Sequence, residues 1–156
     1  MPCEDLRRHL EETFHNEIPI TRAMGIRVLR YDSTSLALGA PLEANVNDKG
    51  TAFGGSLYSL LVLAGWGLVH LRLKEEGISG DIMIHECTVN YSKPITDDWE
   101  ATCRLPEAAE YAHFLERLRE KGRARLTLEP QIATAAGVAV SFRGSYAVFL
   151  SSRKAD

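Results

Sequence analysis

The sequence is poor in the features that most often announce a function. Cysteine is scarce: Cys3, Cys87 and Cys103 form no CxxC pair. That excludes a disulfide framework or a thiolate metal knuckle and leaves free thiols, as in a reducing compartment. A surplus of positive charge is missing, since the formal net charge is -3; this speaks against a general nucleic-acid-binding face. The first residues, MPCEDLRRHLEETF, are charged and lack the apolar core of a signal peptide, so a cytoplasmic protein is expected. The histidines and acids show no HExxH or comparable ligand spacing, so neither a metal nor a cofactor is expected. No repeat or low-complexity linker divides the 156 residues, which suit a single domain over 1–156 with a sizeable core.

What is present is a sequence of changing periods. Residues 4–16, EDLRRHLEETFHN, place Leu6, Leu10 and Phe14 on one face and predict an amphipathic helix closed by Pro19. Residues 26–31 and 34–42 read as a hairpin about Asp32-Ser33. A helix is expected from about Gly55 to Lys74, ended by Gly77 and Gly80. Period two returns in 81–92, DIMIHECTVNYS, and 99–105, WEATCRL, reads as its return strand across a turn bracketed by Lys93-Pro94 and Asp97-Asp98. Pro106 opens a short helix that Gly122 closes. Two further strands, 123–134 and 138–150, precede a tail, SSRKAD, expected to be frayed.

The middle helix decides the architecture. Residues 45–71 read NVNDKGTAFGGSLYSLLVLAGWGLVHL. At ~1.5 Å per residue an apolar helix of about 20 residues reaches about 30 Å, enough for a membrane. Yet Gly54, Gly55, Ser56, Ser59, Gly65, Gly67 and His70 interrupt it, and the remaining strands can cover it. No membrane span is expected. Gly65 and Gly67 should let a neighbouring backbone approach closely. A phosphate loop is excluded because no lysine follows the glycines. The expected fold is α+β, an antiparallel sheet of about six strands wrapped around one long helix.

The motif NVNDKGTAFGGSLY leading into that helix, with HECTVNYSKPITDDW after it, resembles the hot-dog fold of thioester enzymes. More narrowly it resembles the YiiD C-terminal-domain family, which includes malonyl-ACP decarboxylases of the MadB type. The resemblance covers nearly the whole chain from about Pro19. It implies an active site where the helix starts, an acyl carrier protein (ACP) or CoA thioester as substrate, no cofactor, and a homodimer or higher even oligomer whose sheets join.

The residues at the helix start suit that chemistry. A helix N-terminus offers unpaired N–H groups and partial positive charge, and Gly54 and Gly55 admit a substrate to them. The Gly55 N–H is the expected backbone donor to an oxyanion; an amide of Asn45 or Asn47 is the expected second donor, the alternative being that both only form Asx turns. Phe53, Gly54, Ser56, Tyr58 and Lys93 are the expected substrate contacts. Acids and bases are absent from their usual hot-dog places. Phe53 precedes the glycine pair where HGG would put histidine, Val62 stands where an acid would lie two turns on, and no Asp or Glu occurs from Gly54 to Leu73. Hydrolysis needs a base or nucleophile, whereas decarboxylation of a malonyl thioester needs an oxyanion site and a poorly hydrated carboxylate. The expectation is therefore malonyl-ACP decarboxylation. A thioesterase using Asp48 as base, and a non-catalytic acyl-binding protein, are the alternatives. His70, late in the helix, reads as structural, and RLREKGRAR at 117–125 could dock an acidic carrier.

Overall fold

The computed structural model describes residues 1–152; part of the expected frayed tail, 153–156, lies outside the described residues. The helices are α1 (Cys3–Glu17), α2 (Ile20–Met24), α3 (Gly54–Glu75) and α4 (Ala108–Lys121), with one 3-10 turn at Glu43–Asn45. The strands are β1 (Arg27–Tyr31), β2 (Ser35–Ala40), β3 (Gly80–Tyr91), β4 (Trp99–Arg104), β5 (Arg123–Leu128), β6 (Gln131–Thr134) and β7 (Gly137–Leu150). All pairings are antiparallel, in the order β1-β2-β4-β6-β7-β3, with β5 against the second half of β7.

Three elements depart from the sequence reading. β4, expected to return along β3, pairs instead with β2 and β6. Pro19 does not merely end the first helix: it starts α2, whose exit is the left-handed Gly25 (φ 69°). The strand expected over 123–134 is two strands, because Glu129-Pro130 interrupts it and Pro130 has no N–H for a ladder. β5 and β6 then take opposite halves of β7, which lets the sheet curl around α3.

α3 is apolar on nearly every side because β2, β3, β4 and β7 and helix α1 surround it. Leu60, Leu61, Ala64, Leu68 and Leu71 are fully buried. The one helix long and apolar enough to cross a membrane is thus the core helix of a globular fold. Its glycines serve a different end from the one expected, since side chains rather than a backbone press on them. A Cβ at Gly65 would lie 2.6 Å from Tyr146 Cε2, and one at Gly67 2.9 Å from Leu36 Cδ2. Tyr146 fills the first gap and donates from Oη to Val62 O, 2.8 Å.

The two sheet edges are treated differently. α1 packs Leu6, Leu10 and Phe14 inward, as its spacing predicts. It also covers the edge strand β1: Glu11 accepts the Val28 N–H at 2.8 Å and Arg7 donates to Val28 O at 2.8 Å. β3, at the other edge, pairs only with β7.

Candidate active site

The start of α3 is held from both sides. Phe53 N donates to Asn45 O and Ala52 N to Ile95 O, each 2.8 Å. Phe53 is the N-cap residue, extended (φ -65°, ψ 130°), and its carbonyl accepts from Ser56 N and Leu57 N. Among the described residues nothing accepts from the N–H groups of Gly54 and Gly55. These two donors lie at the positive end of a 22-residue helix, where an anion or a developing oxyanion is favoured. The Phe53 ring folds over Gly55, where a Cβ would meet Phe53 Cε1 at 2.5 Å.

The asparagines are placed differently from the expectation. Asn45 is buried, and both its amide hydrogens are already donated, to Met24 O and to Pro41 O, each 2.8 Å. In this arrangement its side chain pins α2 and the loop after β2, and its carbonyl holds Phe53; it has no spare hydrogen for a substrate oxygen. Asn47 closes an Asx turn. Its Oδ1 accepts from Lys49 N (2.9 Å) and Thr51 N (3.1 Å), and its Nδ2 donates to Thr51 Oγ1 (2.8 Å). Asp48 sits at the tip of that turn, beyond the Val46–Ala52 bridge, with its side chain 80% exposed and paired to Lys49 (3.2 Å). The loop chemistry therefore shapes the helix start more than it reaches into it.

Two residues passed over in the sequence stand beside the start of α3. Tyr91 Oη donates to Gly54 O at 3.0 Å. Cys87 Sγ lies 3.4 Å from Tyr58 Oη, and the Tyr58 ring leans on Phe142. The hydrogen bond with Cys87 and then burial raise the Tyr58 pKa; burial and then Cys87 raise that of Tyr91. Both phenols stay protonated at neutral pH, and the Tyr91 hydrogen is already donated to Gly54 O. Period counting missed this face for a physical reason. Ile82 and Ile84 point inward, and an even count would continue to Glu86 and Thr88; the register shift between Ile84 and Glu86 moves the inward phase to Cys87, Val89 and Tyr91.

Of the other expected contacts, Ser56 belongs to the helix start itself and the Lys93 ammonium is held by the turn between β6 and β7. Ser56 is buried in the first turn. Lys93 lies two residues past Tyr91, its N–H on Ala139 O (3.2 Å) and its Nζ on Ala136 O. Phe53 and Tyr91 are 55% and 51% exposed, so in one chain the crevice is open to solvent. His70 is elsewhere: it packs flat on Trp66 and meets His9 of α1 at 3.4 Å between Nε2 atoms. Desolvation first, then His9 and Lys74, lower its pKa to about 4. No group of three or more metal-ligating side chains occurs among the described residues.

An antiparallel sheet curled round one long central helix is the hot-dog arrangement. Residues 7–150 match the family model described as "Putative thioesterase (yiiD_Cterm)", and the chain belongs to that family. A solved structure from Chlorobaculum tepidum, of unknown function, is 36% identical over 96% of this chain and 97% of its own, with TM-score 0.92. One from Shewanella oneidensis with the same thioesterase description is 30% identical, covering 95% and 99%, with TM-score 0.84. A Haemophilus influenzae thioesterase shares the fold alone, at 15% identity over 92% and 90% with TM-score 0.72.

Proposed function

We propose that the protein decarboxylates a malonyl thioester, carried on ACP or CoA, to the acetyl thioester. The observation that carries this reading is the pair of unpartnered N–H groups at Gly54 and Gly55, with no carboxylate or imidazole hydrogen-bonded to the residues around them among the described residues. The thioester carbonyl oxygen sits between these donors. As the C–C bond to the carboxylate breaks, carbon dioxide leaves and its bonding electrons become an enolate whose oxygen the two N–H groups stabilise. Each such donor contributes about 3 kcal/mol to comparable transition states. Phe53 and the ring of Tyr91, half exposed in one chain, give the carboxylate a poorly hydrated berth once a second copy covers them. The enolate carbon then takes a proton from water or from a phenol such as Tyr58, which water restores.

Hydrolysis is the second reading, and the comparisons favour it, since the family and the Shewanella relative carry a thioesterase description. It needs a group to activate water. Asp48, 80% exposed at a loop tip, serves only if a second copy brings it over the crevice. A dimer through β3, whose outer edge is unpaired, would also cover the exposed Phe53 and Tyr91. Incubation with malonyl-ACP and mass analysis of the carrier tests both readings. Acetyl-ACP is the expected product; free holo-ACP with malonate would establish hydrolysis, and unchanged substrate would leave acyl binding alone.

A further inference from the structure

The face of the sheet turned away from α3 carries a broad groove of about 770 Å³. Its rim holds Arg117 of α4 and Arg123 and Arg125 of β5, with His85 of β3; exposed Met83 and Phe149 lie between them. The strand register builds this arrangement: Arg125, Ala147 and Met83 stand in one cross-strand row, and Arg123 stands beside Phe149 in the next. None of the three arginines makes an ion pair among the described residues, whereas Arg119, on the same helix as Arg117, is paired with Glu76 at 3.2 Å. No carboxylate lines the groove. Asp81, at the far end of the Phe149 row, stands two strands from Arg123, about 10 Å away.

We infer that this groove docks an acidic protein, the carrier that presents the acyl thioester to the α3 crevice. Unpaired guanidinium groups around exposed apolar side chains are the composition of a protein interface rather than of a solvated rim. Their charge selects an anionic partner and speeds encounter. A second copy of this chain, docked on the same face by two-fold symmetry, would set arginine against arginine. The groove also lies along the strand that lines the crevice: Met83 and Cys87 are four residues apart on β3, about 13 Å. The inference rests on the thioester reading of the α3 site and adds to it the protein-borne form of the substrate and the surface that receives it.

The test is direct binding of fluorescently labelled holo-ACP to the full chain, followed by anisotropy at two salt concentrations. Wild type is expected to bind, more weakly at high salt. Arg123→Glu with Arg125→Glu is expected to weaken binding at least about tenfold. The control, Arg8→Glu with Arg27→Glu, makes the same change in net charge at exposed positions outside the groove and is expected to stay within about twofold. Thermal melts check the fold, and the single Arg123→Glu substitutes if the double variant is unstable. Absence of wild-type binding, equal weakening by both pairs, displacement of the carrier's role by free CoA, or a changed oligomeric mass in the groove variant alone would each overturn the inference. Binding is read without turnover, so a chain that docks the carrier but leaves malonyl-ACP unchanged refutes the decarboxylase reading and not the dock.

Discussion

Asn45 shows how one buried residue can fix the start of a helix to which it does not belong. Its two amide hydrogens lie on Met24 O and Pro41 O, and its carbonyl holds Phe53 at the head of α3. Asn45→Asp replaces both donors with a carboxylate facing two carbonyl oxygens. A lost buried hydrogen bond with an unsatisfied partner costs about 1–3 kcal/mol. The expected result is a lower melting temperature together with a large loss of turnover. An inactive Asn45→Asp with a wild-type melt would instead assign the side chain a direct contact with substrate. Asp48→Asn, at an exposed tip, is expected to change neither activity nor stability more than a few-fold; a well-folded, inactive Asp48→Asn would favour hydrolysis. The sequence made the loop legible as a turn before the helix, because Asn, Asp and Gly ahead of an apolar run favour Asx turns. Which amide points where was not legible: it depends on the Met24 and Pro41 carbonyls, and α2 had not been foreseen.

At the scale of elements, the sign of one substitution distinguishes packing from propensity. Gly65→Ala in a free helix gains about 1 kcal/mol. Here the new Cβ would collide with the buried Tyr146 ring, and overpacking of that kind costs about 1–3 kcal/mol. Urea unfolding is expected to show net destabilisation; a gain in stability would mean that Tyr146 moves freely, contrary to its burial. The α1–α3 contact makes a second prediction. His70 has its pKa lowered to about 4 from an ordinary 6.5 by burial, His9 and Lys74, and His9 is lowered by burial and Lys74. The unfolded chain therefore binds these protons more tightly, and the stability present above pH 6.5 is lost as pH falls toward 4. Thermal melts from pH 7 to pH 4.5 should show that loss, and His70→Phe, which keeps the ring on Trp66, should flatten the curve. The three longer helices and the β1–β2 and β6–β7 hairpins were legible in the sequence because each carries its own period and punctuation. The β5–β6 break and the shifted phase of β3 were not, since a proline inside an apolar run and a one-residue register shift gain meaning only against the partner strand β7.

For the whole molecule, a helix with no Asp, Glu, Lys or Arg from Gly54 to Leu71 has to be covered, and the curled sheet answers that need. Chemistry is less legible at this scale. The sequence shows which acids and bases are missing, the structure shows two N–H groups with nothing to accept from them, and neither holds the substrate. The measurement that tests the account most directly is turnover of malonyl-ACP in deuterium oxide, with the carrier analysed by intact mass. Base-free decarboxylation through an enolate predicts acetyl-ACP carrying one solvent deuterium on the acetyl methyl group and no free malonate. Release of malonate with unloaded holo-ACP would contradict it.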